Sequence, residues 1–153
     1  MIKIGFSAIL LLATFSTSCA WAIINSNIPK VHRDSEEVLQ KAEELRSAVN
    51  SKNPEAIWGM LMPGLHKVSR DSYIKYYSDT YSTHEIYVDQ PSLIRRNHDI
   101  AETKANYTYR DFGKDGQLIQ TTVCEKAVWA KRDKKWYLHT IGLDCNYELG
   151  GVR

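Results

Sequence analysis

The sequence lacks the short motifs by which cofactor-dependent and nucleophilic enzymes are recognised. It has no glycine-rich phosphate loop, no Gly-x-Ser-x-Gly elbow and no Cys-x-x-Cys redox pair. The histidines His66, His84, His98 and His139 are too scattered to supply metal ligands from one element. Asp111 and Asp115 offer too few oxygens for a calcium loop. The sequence therefore identifies no catalytic residue and implies neither a metal nor a cofactor.

The chain also lacks a strong net charge. Twenty Lys and Arg residues oppose 18 Asp and Glu residues, which gives +2, and removal of Lys3 with the first 22 residues would leave +1. Nucleic-acid binding needs a net positive field, so we expect no nucleic-acid partner. A basic cluster at Lys131, Arg132, Lys134 and Lys135 could contact anionic headgroups or an acidic partner. We interpret it as a solvated turn, because that is the commoner role of such a run.

Charged residues are missing from residues 4–22, which indicates a secretory signal. The apolar run at residues 4–15 is shorter than the about 20 residues of a membrane span. Ala20-Trp21-Ala22 fits the small-x-small cleavage pattern, so we predict removal of residues 1–22 and a periplasmic or secreted protein. The alternative is a lipoprotein anchored to the membrane through Cys19. It is disfavoured because Ser16 stands where lipoprotein signals have leucine.

Either route leaves Cys124 and Cys145 as a pair, and export favours a structural disulfide between them. Both lie near the outer ends of a predicted hairpin whose charged tip covers residues 131–135. A turn at residues 134–135 would place the two cysteines directly opposite each other. A turn at residues 133–134 would place Cys124 opposite Leu143, too far from Cys145 for a bond without a bulge. Either register puts both sulfurs on one face of the sheet.

The residue pattern predicts a run of helices followed by a run of strands. After a flexible segment at residues 23–34, capping and proline signals begin helices at Asp34, Pro54 and Ser72, the third being capped by Ser69 or Asp71. Strands are predicted at residues 84–94, interrupted by Pro91, at 100–112, at 118–130 and in the second half of the hairpin. We therefore expect an α+β fold: three helices on one face of a strongly bent antiparallel sheet of about four strands. The domain would cover residues 35–148, with a tail at 149–153 and Trp58 largely buried under the sheet.

Three stretches carry a resemblance to a known family. They are Asn-Pro-Glu-Ala-Ile-Trp from Asn53, Ser-Arg-Asp-Ser-Tyr-Ile-Lys-Tyr-Tyr from Ser69 and Val-Trp-Ala-Lys-Arg-Asp-Lys-Lys-Trp-Tyr-Leu from Val128. With the element order, they resemble the nuclear-transport-factor-2-like superfamily, which includes ketosteroid-isomerase-like and polyketide-cyclase-like proteins and scytalone dehydratase. The resemblance implies a cone-shaped fold and an exported bacterial member. It implies no single activity, because the fold hosts many.

Enzymes of that superfamily place an Asp or His base inside the cone, facing a Tyr or a protonated acid. The residues here that could line such a cone are Tyr73, Tyr77, Tyr107, Tyr109, Asp111 and His139. No local motif assigns any of them a catalytic role. An aromatic stripe of this kind is more often core, and His139 is more often an ordinary strand histidine.

Three functions are compatible with these sequence features. The chain could be an exported non-catalytic domain that binds a protein partner in an accessory, inhibitory or immunity-like role. It could also be a cone that binds a small apolar ligand, or a small enzyme of the isomerase or dehydratase type. We favour the first because no acid–base pair can be assembled from the sequence. A packed cone with an exposed apolar patch would support that function, whereas an open cone would support the others. The sequence does not determine the oligomeric state, and a homodimer is compatible with it.

Overall fold

Three helices precede five strands in the part of the chain that the computed structural model describes: residues 30–65, 67–113 and 115–146, without the side chains of 30, 31 and 32. The helices are α1 (Lys30–Asn50), α2 (Pro54–Met60) and α3 (Arg70–Thr83). The strands are β1 (Glu85–Val88), β2 (Ser92–Arg96), β3 (Ile100–Phe112), β4 (Leu118–Arg132) and β5 (Lys135–Asp144). The predicted signal peptide at residues 1–22 and the tail at 149–153 lie outside the described residues. No helix among those described is long and apolar enough to cross a membrane.

The strands form one antiparallel sheet in the order β1-β3-β4-β5, with β2 also paired to β3. The helices pack against this curved, unclosed sheet, so the predicted α+β fold is confirmed. The strand predicted at residues 84–94 is instead two strands, β1 and β2, which makes five. Pro91 lies between them. Proline has no backbone N–H to donate to a strand ladder, so it is accommodated where the pairing is interrupted.

The helices begin at side chains that can cap them. Asn53 accepts a hydrogen bond from the Ala56 N–H at 3.0 Å at the start of α2, and Ser69 accepts one from the Ser72 N–H at 3.2 Å at the start of α3. Ser69 is one of the two caps expected for that helix. Helix α1 differs from the prediction because it begins at Lys30, so Asp34 lies inside it instead of capping it.

The core lies between α1 and the sheet. Val38, Leu45 and Val49 of α1 are buried with Trp129 of β4 and Leu138 of β5. Trp129 is fully buried, and its indole N–H donates to the Thr103 hydroxyl oxygen at 2.9 Å. The expected burial of Trp58 under the sheet holds only in part, because Trp58 does not belong to the buried core. Trp58 is only half-buried, with its ring centroid 5.1 Å from that of Tyr73 on α3.

Asp34 joins three elements through buried charges. Its carboxylate contacts the guanidinium of Arg96 on β2 at 3.0 Å and the ammonium of Lys131 on β4 at 2.8 Å. These side chains are largely buried, so Lys131 is not part of a solvated turn as predicted. Lys134 and Lys135, in contrast, are exposed as expected. Of the four residues of the basic cluster, Lys131 is therefore structural, whereas Arg132, Lys134 and Lys135 are exposed.

The β4–β5 hairpin turns at Asp133 and Lys134, both of which have positive φ. This is the register in which the two cysteines were expected to be too far apart. Two irregularities in the β4–β5 pairing bring them opposite each other, and the Cys124–Cys145 disulfide is present with a Cα–Cα distance of 5.6 Å. The predicted disulfide is confirmed.

Candidate functional site

Five tyrosines meet between α3 and the sheet. Tyr73, Tyr77 and Tyr81 follow one another at i, i+4 spacing along α3, with ring centroids 4.5 Å and 6.1 Å apart. Tyr107 and Tyr109 lie on the core face of β3, with their rings stacked at 6.4 Å. We call these five residues the tyrosine cluster. Four of them are among the residues that could line a cone, and Tyr81 is the fifth member of the cluster.

Burial keeps the phenols of the tyrosine cluster protonated. Loss of contact with water raises the pKa of Tyr81 to about 12. The same cause raises the pKa values of Tyr73, Tyr107 and Tyr109 still further above the ordinary tyrosine range. Tyr81 and Tyr107 belong to one buried core cluster, and Tyr73, Tyr77 and Tyr109 pack against that cluster. These hydroxyl groups can donate hydrogen bonds at neutral pH but cannot act as bases.

Glu125 is the acidic member of the site, and it was not predicted from the sequence. The Tyr109 hydroxyl donates to a Glu125 carboxylate oxygen at 2.6 Å, and both side chains are half-buried. Glu125 lies on β4 directly opposite Ala105, on the core face. Alternation within β4 could have placed Glu125 on the same face as Trp129. Its contact with Tyr109 depends on the β3–β4 register, which the sequence alone did not fix.

The other two candidate residues lie apart from the tyrosine cluster. His139 follows the buried Leu138, its side chain is exposed, and its Nδ1 is 3.1 Å from the Thr140 hydroxyl oxygen. It does not line the interior, so its assignment as a cone residue is wrong. Asp111 lies two residues beyond Tyr109, with a carboxylate oxygen 3.7 Å from Nε2 of His84. Among the described residues no group of three metal-ligating side chains occurs.

A very small cavity adjoins the tyrosine cluster. It measures about 10 Å³ and is lined by residues that include Leu45, Thr103, Tyr107 and Glu125. That volume holds about one water molecule. A much larger open groove of about 650 Å³ lies between α1, α2 and the start of β5, lined among others by Glu37, Lys41, Lys135 and Tyr137. Its walls carry charges of both signs and do not form a closed interior site.

The free end of the β3–β4 hairpin exposes large apolar side chains. Phe112 is 72% exposed, Ile119 55%, Leu118 54% and Val123 38%. Phe112 and Leu118 are paired opposite each other and share one face of the hairpin. Ile119 and Val123 lie on the other face, the one that carries Tyr107. We call these four residues the hairpin-end patch.

Comparison with known proteins shows the fold and no more. A nuclear transport factor 2 (NTF2-like) superfamily protein from Salmonella enterica serovar Typhimurium has a TM-score of 0.53 and 16% identity, over 78% of this chain and 97% of that one. A ketosteroid isomerase-like protein from Erwinia carotovora has a TM-score of 0.53 and 14% identity, over 71% of this chain and 92% of that one. No family model and no curated protein matches the chain. The expected nuclear-transport-factor-2-like fold is confirmed.

Proposed function

We propose that the chain is an exported, non-catalytic domain that binds a protein partner through the free end of the β3–β4 hairpin. The observation that carries this proposal is the hairpin-end patch, in which four large apolar side chains are exposed together. Single exposed apolar residues are normal on protein surfaces, but grouped ones mark interaction sites. The hairpin presents such residues on both faces, so a partner can enclose it.

The packing of the interior favours the binding of a partner at the surface over a reaction inside the cone. Sites for small molecules usually measure about 300–1,000 Å³. The cavity beside Tyr107 measures about 10 Å³, and the neighbouring rings of the tyrosine cluster lie 4.5–6.4 Å apart, centroid to centroid. A cavity of that size cannot hold a small-molecule ligand unless the side chains that line it move. This arrangement fits the packed cone that we expect of a partner-binding domain.

Export is the part of the proposal that concerns residues 1–22. The disulfide supports it, because structural disulfides persist in oxidising compartments. The intact mass of the protein recovered from its natural host should correspond to a chain beginning at Ile23. A mass that still includes residues 1–22 would contradict export by this signal, and a diacylglyceryl adduct on Cys19 would support the lipoprotein alternative.

The Tyr109–Glu125 hydrogen bond favours a second candidate, a cone that binds or isomerises a small apolar molecule. A protonated phenol beside a carboxylate can orient a polar group on such a molecule. This function requires the tyrosine cluster to open. Replacing Tyr109 with Phe would then abolish ligand binding, whereas binding through the hairpin end would be unchanged.

Site-specific photocrosslinking in the natural host tests the partner-binding function. A photoreactive phenylalanine analogue at Phe112 should give a discrete protein adduct, whereas the same analogue at Tyr76 should not. Tyr76 is a matched control because it is an aromatic residue that is 65% exposed on α3, away from the hairpin. Adding Leu118→Ser should reduce the Phe112 adduct about tenfold, because burial of a leucine is worth about 1.5–3 kcal/mol. Equal adducts from both positions, or none from Phe112, would contradict the proposal.

A further inference from the structure

Among the strands that the structure describes, none pairs with one edge of β4 over residues 118–123. Strand β3 pairs with β4 along its whole length, but β5 pairs with it only from Glu125 to Arg132. All six residues at 118–123 are exposed. Within the described part of the chain, no other strand lies against them. We call this segment the free edge.

The geometry identifies the backbone groups that point outward along the free edge. The Cys145 N–H donates to the Cys124 carbonyl oxygen at 3.3 Å, so the backbone polar groups of Cys124 point away from β3. These directions alternate along an antiparallel strand. Leu118, Gln120 and Thr122 therefore present their N–H and C=O groups to the free edge. The opposite strand agrees, because Asn106, which pairs with Cys124, uses its carbonyl to accept from Asp89 at 3.0 Å.

The free edge lacks the features that normally protect exposed strands. Its sequence, Leu-Ile-Gln-Thr-Thr-Val, contains no charge and no proline and is rich in β-branched residues. Natural edges are blunted by charges, prolines or bulges. The opposite side of the sheet has all three, in Arg95, Pro91 and the irregular pairing of β2. The contrast indicates that the free edge is kept open for another strand.

We propose that the free edge pairs antiparallel with the free edge of a second copy of this chain, so that one sheet continues across a two-fold axis. The inference rests on the proposed function in that it treats the hairpin end as an interaction surface. A second copy suits the site because the segment is uncharged, so two identical edges meet without repulsion. Antiparallel pairing of identical strands is also two-fold symmetric, the commonest arrangement of soluble dimers.

The outward-pointing backbone groups of the free edge determine the pairing register of the two copies. With Gln120 opposite its own counterpart, Leu118 lies opposite Thr122 and Ile119 opposite Thr121. Every outward-pointing residue then faces another outward-pointing residue, as the hydrogen-bonded pairs of an antiparallel ladder require. The apolar side chains at positions 118 and 119 each gain a β-branched cross-strand neighbour.

Sedimentation analysis of the purified full chain tests the dimer. The parent protein should show a reversible monomer–dimer equilibrium between low micromolar and submillimolar concentration. Gln120→Pro should remain monomeric, because it removes an N–H that points outward while the β3–β4 ladder stays intact. Gln120→Lys should also remain monomeric, because two ammonium groups would meet at the axis. Gln90→Lys is the matched control, an exposed glutamine outside the free edge, and it should dimerise like the parent.

Cysteine crosslinking tests the register. Gln120→Cys should yield a disulfide-linked dimer on mild oxidation, because Cα atoms of a hydrogen-bonded pair are about 5.5 Å apart. Thr121→Cys should not, because its own counterpart is a diagonal neighbour at about 7–8 Å. Equal crosslinking of both variants would overturn the register.

A parent protein that stays monomeric at every concentration would overturn the dimer. Dimerisation weakened equally by Gln120→Pro and by Gln90→Lys would also overturn it. Hydrogen exchange at Gln120 and Thr122 in dilute protein identifies another occupant. Slow exchange there that is lost on truncation after Asn146 would show that the chain covers its own edge, which also overturns the dimer. If the dimer fails while photocrosslinking at Phe112 still captures a different protein, the proposed function stands and this inference does not.

Discussion

Cys145 lies directly opposite Cys124 because the β4–β5 pairing slips twice. The ladder skips one residue at His139 and one more at Gly142. Without these two slips, the observed turn would place Leu143 opposite Cys124. Each bulge moves the pairing by a single residue, and together they bring the cysteines to a Cα–Cα distance of 5.6 Å.

Removing the disulfide should lower the free energy of unfolding without altering any binding chemistry. Cys124→Ser and Cys145→Ser each open a loop with a sequence separation of 21 residues, for which chain entropy predicts a loss of about 3 kcal/mol. Urea unfolding monitored by fluorescence measures this loss. Reductant should bring the parent to the stability of the serine variants and leave those variants unchanged. Serine variants as stable as the parent would show that the bond contributes nothing to folding.

Most of the secondary structure could be predicted from the sequence, because the residue patterns that indicate helices and strands are local. Period-2 alternation predicted β3 at residues 100–112, which is the strand observed. The disulfide was predicted as well, but the turn that would have placed the cysteines opposite each other without a bulge is not the one observed. A bulge depends on how two strands fit over the core, which is not a local property. The sequence signal for a bulge here was Gly142, because a glycine within a strand often marks a bulge.

The candidate site was harder to predict from the sequence than the fold. Helical spacing and alternation identified Tyr73, Tyr77, Tyr107 and Tyr109, and the fold brings them together. Glu125 was missed because its contact with Tyr109 requires the register of β3 against β4, which are joined by a loop at residues 113–117. No pattern within either strand fixes such a register.

Gly142→Ala should destabilise the protein through backbone strain. Gly142 has φ +85°, in the left-handed region, where an added Cβ costs roughly 1–2 kcal/mol. Space is not the cause, because the nearest atom to that Cβ would be a Glu125 carboxylate oxygen at 3.7 Å, an ordinary contact. Gly59→Ala is the matched control: it lies within α2 with no atom within 4 Å of the added Cβ, so stability should be unchanged or slightly raised. Equal effects of the two substitutions in thermal unfolding would refute backbone strain as the cause.

Thr103→Val should cost about 1–3 kcal/mol of unfolding free energy, because it leaves the buried Trp129 indole N–H without an acceptor. Valine has nearly the same shape as threonine, so the loss isolates the hydrogen bond. Thr103→Ser keeps the hydroxyl and removes a methyl group, and it should restore the Trp129 contact. Chemical denaturation gives the stabilities, and the indole N–H resonance of Trp129 reports the bond directly. A valine variant more stable than the serine variant would contradict the prediction.

Alkaline pH should destabilise the protein before the buried phenols ionise. Burial raises the pKa of Tyr81 to about 12 and that of Tyr107 beyond the ordinary range, whereas an unfolded chain titrates its tyrosines near pH ~10. Above about pH 10 the folded state therefore binds more protons than the unfolded state, so the free energy of unfolding falls as pH rises. For Tyr107, which is 6% exposed, the slope approaches its limit of about 1.4 kcal/mol per pH unit.

Urea unfolding at stepped alkaline pH, together with phenolate absorbance of the folded protein, measures both sides of this linkage. Tyr107→Phe should make the decline shallower, because it removes a group that ionises only in the unfolded state across this range. Tyr76→Phe is the matched control, since Tyr76 is 65% exposed, and its variant should follow the parent. If the tyrosines of the folded protein ionise together near pH ~10, the interior is open to water, and the packed cone on which the proposed function depends is wrong.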